Sequence, residues 1–583
     1  MRRTALPVLA LLLGLCGAGM GARAGTATTD NVVVAAGGLT YRIAHVEATD
    51  TALDNAALAH LLDPASAEPL SQRLAALSAG GIAMPEVVAE TRREGVTETV
   101  IYRDVKLGDV KAGHVGTLSI AGASLAAATP RFDDLRGVIG PMTASDVDLA
   151  QLARVASVPR TDPAEPRKPL YGNYAITRVT VASVKAGFDL SVGPISGGGA
   201  RGRALETPLT MLAAALAPKP DETPEAARTR ATHVLIDVLG SLEVGAFEAK
   251  ELKVRSTQAD KPATFALARI AIGDAGGDRL GSVSLEGLAL ETPQVTLRLG
   301  SIGLQNIDLA AVRTALAAAE TGAADPTAAS VPPQPAPGLL TLSDLSAEVG
   351  ANGDGNAADG QRTAFHIDRI AMTGAHVAAA APVEVGTELD HFAMALPSQA
   401  DGTLQNMVAM GYSKLDLSSR LGVAWDEARK ELQVKTISLT GDGMGTLTVS
   451  ALFGNVSKDL FSSDPAVMQA AAFGMLLNKI DLRIDNGGLI DKAMALQARS
   501  EGKSVDEVRK TYVTGAGVAV PVMLGNGPGA KAIGAALAKF AAQPRSLHLV
   551  ATAPNGLGAS DLEALGDPAA LLAKLAIQAS ANE

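Results

Sequence analysis

Cysteine is nearly absent from this chain of 583 residues: there is one, Cys16, inside an N-terminal stretch that reads as an export signal. A mature chain cut after Ala24 would hold none, which excludes disulfides, thiol catalysis and cysteine metal sites together. Aromatic residues are scarce as well, 3% against 47% hydrophobic residues overall, so the cores must be filled by Ala, Val, Leu and Ile. Positive charge is in deficit. The formal net charge is −11, and the signal carries Arg2, Arg3 and Arg23 but no acid, so its removal takes the charge to −14. An acidic chain poor in rings lacks the basic face and stacking platforms that nucleic acid needs. It gains nothing electrostatically from an anionic lipid surface unless a basic patch is hidden by the average. Long apolar runs are missing too: beyond the N-terminus none reaches the ~18 residues of a transmembrane helix. Neither a G-x-S-x-G elbow nor an HExxH helix is present, which removes the usual signatures of serine hydrolases and zinc peptidases.

The signal consists of Arg2 and Arg3, an apolar run from Ala5 to Cys16, and Ala22-Arg23-Ala24 as an A-x-A cleavage site. Leu15 is too large for the small residue that precedes a lipidated cysteine. The expected location is therefore the periplasm, after a cut that follows Ala24.

Glycine is abundant, with 60 residues, and the chain repeats itself. Val105 to Leu125 recurs without a gap at Ile270 to Leu290, with identities at Gly108/Gly273, Asp109/Asp274, Gly116/Gly281, Ser119/Ser284, Gly122/Gly287 and Leu125/Leu290. Apolar residues alternate with small or polar ones on both sides of a Gly-Asp pair, the pattern of a β-hairpin with one buried face. The Gly-Asp pair is expected at the turn. Further on, Gly137 to Gly140 matches Gly300 to Gly303. Asp148 and Asp308 then each stand at a helix start, where a carboxylate caps exposed amides. Thr436 to Ser450 reads as a third, shorter hairpin, and Val184 to Gly187 as a shortened relative. Elsewhere strands are expected over Asn31 to Val46 and Thr97 to Tyr102. Helices are expected after Asp54, over Pro69 to Leu77, Pro208 to Ala217 and Pro224 to Leu239, and through much of the C-terminal region. The fold class is α+β: β-rich, curved antiparallel sheets built from repeated hairpins, with amphipathic helices packed between them and at the C-terminus. The expected division is a signal peptide (1–24), an α+β module (25–158), a Pro-rich linker (159–172), a second copy of the module (173–322), an Ala/Pro-rich linker (323–338), and a strand-rich then helical module (339–583).

The last of these resembles the AsmA-like and YdgA-type bacterial envelope proteins. The resemblance covers residues 407–583 and rests on the strands around Trp425, on Asp485-Asn486-Gly487-Gly488-Leu489 leading into a helix, on Phe540, Pro544, Leu547 and Leu549, and on Asp567-Pro568 with a terminal Ala581-Asn582. It implies a periplasmic protein of curved sheets acting in outer-membrane assembly or lipid homeostasis without known catalysis. Some larger relatives are thought to shield acyl chains in a sheet groove. Lipid or outer-membrane assembly components are the partners it implies.

No residue stands out as catalytic, cofactor-binding or metal-ligating. Gly197 to Gly202 matches G-x-G-x-x-G formally, but no helix follows directly and no acidic strand end lies where a ribose contact belongs, so a loop is the reading. Asn352 to Asn356 with Asp359 offers alternate oxygens, yet Ala357 replaces the glycine and Thr363 the closing acid of a calcium loop. His366, Asp368, His376, Asp390 and His391 could meet at zinc only if the fold gathers them. Arg92-Arg93 and Arg167-Lys168 read as solvated faces. The functional expectation is a non-enzymatic envelope protein with an apolar sheet face or groove for lipid. A structural adaptor with filled cores is the alternative.

Overall fold

The computed structural model describes residues 25–36, 39–63, 65–93, 96–128, 134–217, 222–258, 262–276, 279–308, 339–349, 363–375, 384–396, 402–462, 464–563 and 568–583. The expected signal, the linker 323–338, the Asn352–Asp359 loop and His376 lie outside them. Strands dominate and every pairing is antiparallel. One compact unit runs to Pro293, and a second takes Gln294–Gln305 and the residues from Leu339 onward.

The first unit opens with five long strands in chain order: β1 (Gly25–Ala36), β2 (Leu39–Thr51), β3 (Ala79–Arg93), β4 (Val96–Lys111) and β5 (His114–Ala128). Between β2 and β3 lie α1 (Asn55–Leu61), capped by the Asp54 carboxylate on the Ala57 amide, and the short α2 (Leu70–Leu74). No strand is expected from the sequence over β3, where Gly80 and Gly81 follow the expected helix Pro69 to Leu77 and read as its stop. The last ladder strand is shared by two short ones, β6 (Leu135–Ile139) and β7 (Met142–Asp148), laid end to end along β5. Asp148 then caps α3 (Leu149–Ser157) through the Gln151 amide, as expected. The helix beyond Asp308 lies outside the described residues.

Helices α1 to α3 close one face of this sheet. Tyr41, Tyr102, Val105, Val110, Ile120, Leu58, Leu74 and Leu149 are all essentially inaccessible and belong to one cluster, each such side chain contributing about 1.5–3 kcal/mol of burial. Arg73 is buried at the C-terminal end of α1, where it donates to the carbonyls of Leu61, Asp63 and Glu68. A cation at the negative end of a helix dipole needs no carboxylate partner.

Residues 159–172 are not a linker. They carry β8 (Lys168–Tyr171), and the sheet continues across them: β9 (Tyr174–Ile176) pairs with β7, β10 (Val179–Ser183) with β6, β11 (Phe188–Val192) with β10, and β12 (Ile195–Gly197) with β9. β13 (Ala200–Gly202) joins β8, and after α4 (Leu212–Ala215) and α5 (Pro224–Ser241) it pairs with β14 (Leu242–Val244). The ladder ends with β15 (Phe247–Ser256), β16 (Thr264–Ile272), β17 (Ala275–Gly276) and β18 (Arg279–Glu291). The expected boundary between two modules thus falls inside one sheet, because β6 and β7 find their next neighbours across it. Arg167 and Arg203 both donate to the Gly240 carbonyl at the end of α5, at 2.7 and 3.1 Å, and Arg160 pairs with Asp237 at 2.9 Å. Arg167 is therefore held at a helix terminus and is not part of a solvated face.

The repeated hairpins pair in one register: Val105 faces Ile120 as Ile270 faces Leu285, and Tyr102 faces Ala123 as Leu267 faces Leu288. The turn is not at the Gly-Asp pair. In the first hairpin it is Ala112-Gly113, both at positive φ, between Lys111 and His114, the two-residue form that suits strand twist. Asp109 sits within β4 at φ 55, one of several acidic residues in left-handed backbone inside strands. A glycine stands beside most of them: a Cβ added at Gly80 would lie 2.7 Å from that of Asp50, at Gly116 3.1 Å from that of Asp109, at Gly193 3.1 Å from that of Glu251, and at Gly300 2.8 Å from that of Asp344. Aspartate tolerates this backbone better than most residues, and glycine leaves room for it.

These breaks shift the alternation by one residue. Buried positions in β4 are Val100, Tyr102, Val105, Leu107 and Val110; in β5 they are Val115, Leu118, Ile120, Ala123 and Leu125. Steps of two and three take turns, so the stretches on either side of each break keep one face toward the core. Gly80→Ala is expected to lower stability by about 1–3 kcal/mol in urea unfolding, and Asp50→Gly in the same chain to restore most of the loss. Additive effects of the two changes would contradict the pairing.

Candidate functional site

The second unit is a meander in chain order: β19 (Val295–Asp308), β20 (Leu339–Val349), β21 (Thr363–Ala375), β22 (Glu384–Ala395), β23 (Lys414–Asp426), β24 (Glu431–Gly441), β25 (Gly445–Gly454), β26 (Leu476–Asn486), β27 (Ser546–Leu557) and β28 (Ala576–Ala581). α6 (Gly402–Ala409) precedes β23, and α7 (Pro465–Phe473) precedes β26. After β26 come α8 (Leu489–Glu501), α9 (Val505–Thr514), α10 (Val520–Met523) and α11 (Pro528–Ala542). The expected third hairpin is β24–β25, closed by Asp442-Gly443-Met444.

Its register sorts side chains cleanly. Leu345 faces Ile367, Ile367 faces Phe392 and Phe392 faces Leu417. One strand on, Leu421 faces Ile437, Ile437 faces Val449 and Val449 faces Leu482. Alternation would throw these rows out of phase, and irregular positions correct it: the Gly300/Asp344 break, the His391 position at φ 51, and register shifts beside Val423 and between Val434 and Ile437. The result is one continuous apolar face.

That face is covered at one end. Phe540 and Ala536 of α11 lie on Leu547, Ala581, Ile484 and Leu549, so β26 to β28 have a filled core. Along one margin Trp425 and Val456 pack with Leu432, Phe453, Phe461 and Met475, and the indole N–H donates to the Val456 carbonyl at 3.2 Å. Over β23 to β25 the cover stops: Ile437 is 47% exposed, Leu439 48% and Leu447 39%. Leu417, Val423, Leu389 and Phe392 on the same face are only half-buried. In the first unit the corresponding face carries α1 to α3, and its large side chains are closed off.

The opposite face of the same strands is polar and held by cross-strand ion pairs. Arg369 reaches Glu388 at 2.8 Å, Arg420 lies 3.6 Å from Asp390, and Lys435 meets Glu384 at 2.7 Å. His391 Nδ1 is 3.0 Å from Asp416, which also receives Lys414 at 3.3 Å. The hydrogen bond to Asp416, and then its charge, raise the His391 pKa above the ordinary histidine value. Burial alone would raise the Asp416 carboxyl, but His391 and Lys414 together bring it down.

The residues weighed for chemistry do not converge. His366 pairs with Asp368 at 2.8 Å and His391 with Asp416, and among the described residues no group of three or more His, Cys, Asp or Glu is placed to hold a metal ion. Gly197 to Gly202 is consumed by the sheet. Gly198 donates to the Ala246 carbonyl at 2.6 Å, Gly199 accepts from Gly245 at 2.7 Å, and a Cβ at Gly197 would strike the Tyr174 ring. Its amides are not free to cradle a phosphate. Asn486 and Asn582, which carry part of the resemblance, are joints. Asn486 accepts from the Gly488 and Ile490 amides and donates to the Pro544 carbonyl, while Asn582 accepts from the Arg545 and Ser546 amides. What the sequence did not reveal is the exposure of the face, since Leu and Ile in alternation look the same whether a helix lies over them or not.

Because its pKa is raised, His391 keeps its proton to higher pH than an ordinary histidine, and the charged pair with Asp416 weakens as pH rises through that value. In an NMR titration Asp416→Asn is expected to lower the His391 pKa toward the ordinary range. An unchanged titration would exclude Asp416 as the cause.

Residues 438–582 match a protein family described only as an uncharacterized protein. No curated protein matches the chain.

Proposed function

We propose that the protein is a non-enzymatic component of the bacterial envelope that holds acyl chains of lipid against the apolar face of β23 to β25, and so acts in outer-membrane or lipid homeostasis. The observation that carries this reading is the exposure of Leu421, Ile437, Leu439 and Leu447 side by side on paired strands of one sheet. Scattered apolar residues on a surface are ordinary, whereas a contiguous patch marks a binding surface. The patch is mainly aliphatic, with the Ser419 hydroxyl opposite Leu439 as a polar group within it, which suits a ligand that is largely apolar along its length, such as an alkyl chain. The polar ladder on the opposite face keeps that side in water. An export signal and the resemblance of residues 407–583 to AsmA-like proteins point to the same compartment and ligand class.

The second reading, a structural adaptor, is favoured by the closed core of the first unit. Native mass spectrometry of protein purified from the periplasm, followed by lipid extraction, separates the two. Co-purified lipid that is lost in the double variant Ile437→Asp, Leu439→Asp supports the lipid reading. Lipid-free protein with a stoichiometric protein partner supports the adaptor.

A further inference from the structure

A stretch of sequence that reverses the average charge covers the C-terminal helices. Between Glu507 and Asp561 there is no acidic residue, while Arg509, Lys510, Lys531, Lys539 and Arg545 all fall in that interval; of these Arg509 is paired with Asp491 at 3.4 Å. In a chain of net charge −11 this is the reverse of the prevailing sign. Lys531 and Lys539 are exposed and meet no carboxylate among the described residues.

The same interval carries the most exposed large apolar side chains of its unit. α9 passes through a π-helical turn, Gly515–Ala519, into α10. The inner side of this rod is packed: a Cβ at Gly534 of α11 would press on Pro521 and on the Ala516 carbonyl, and Gly517 faces Ala538. The outer side shows Val518 at 63% exposure, Val522 at 65% and Met523 at 74%. Val518 and Val522 are four residues apart and so lie one above the other on a helix, with Ala519 and Met523 beside them. An apolar ridge within a stretch of sequence that carries lysines and no acids is how a helix is written to lie in a headgroup layer, with the aliphatic tips below and the ammonium groups at the phosphates.

We propose that this ridge, Val518 to Met523 with Lys531, docks the protein on an anionic lipid bilayer. The site is distinct from the sheet face, and its occupant is the membrane surface and not a lipid taken out of it. The charge complementarity selects this partner, since an apolar protein partner would not call for a stretch of chain that carries lysines and no acids.

Co-sedimentation of the full chain with vesicles tests it, using phosphatidylcholine alone against phosphatidylcholine with phosphatidylglycerol. Binding is expected only with phosphatidylglycerol and should weaken as salt rises. Val522→Asp with Met523→Asp should weaken binding about tenfold or more, and Lys531→Glu about fivefold or more. Both sites are exposed, so melting temperatures should not move. Ile437→Asp with Leu439→Asp, which removes the sheet face, should bind vesicles as the parent does. Failure of the parent to bind phosphatidylglycerol vesicles at low salt would overturn the proposal, as would undiminished binding by the Val522→Asp, Met523→Asp chain.

Discussion

The long strands of the first unit share one local device, a residue in left-handed backbone, in several places with a glycine of the neighbouring strand beside it. A strand that simply alternates keeps one face inward for its whole length. Once a residue such as Asp104 or Asp109 turns over, the next stretch would point its apolar residues into water unless the pattern steps by three at that point. β2 to β5 all step by three at the same levels, Ile43 to Val46, Met84 to Val87, Tyr102 to Val105 and Ile120 to Ala123. The breaks therefore run across strands as rows, and neighbouring strands must share them for the ladder to stay paired. In the second unit the same end is reached partly through register shifts, as at Val434 and Ile437.

From this constraint follow two different uses of one architecture. Where α1, α2 and α3 lie on the apolar face, the result is a closed core in which Tyr41 and Tyr102 are buried deeply enough that desolvation pushes their phenols well above the ordinary range. Where no such helix lies over β23 to β25 among the described residues, the same sequence pattern presents Ile437 and Leu439 outward. Exposed apolar surface of this extent is a liability for aggregation, and its retention is understandable if a ligand occupies it. The ion pairs on the reverse face add little stability individually; their consequence is to mark which side of the sheet faces water.

Much of this was legible in the sequence. The repeated hairpin and the caps at Asp54 and Asp148 are local patterns, and local chemistry decides them. The misreadings share a cause. Gly108-Asp109 and Gly80-Gly81 were taken as a turn and a helix stop, because glycine and aspartate are turn residues when only near neighbours are considered. Their real setting is a contact with the next strand, and Gly80 is explained by Asp50, a residue on another strand. The steps of two and three stand in Val105-x-Leu107-x-x-Val110 and Val115-x-x-Leu118-x-Ile120, which depart from strict alternation by one residue at each break. Exposure of the apolar face could not be read at all, since it depends on where helices pack.

The most direct measurement is photo-crosslinking in cells from two adjacent positions of β24 that point to opposite faces. A benzophenone residue at Leu439 is predicted to form lipid adducts through acyl carbons, while one at Ser438, on the polar face, forms none. Equal lipid labelling from both positions, or protein adducts alone from Leu439, would contradict the account.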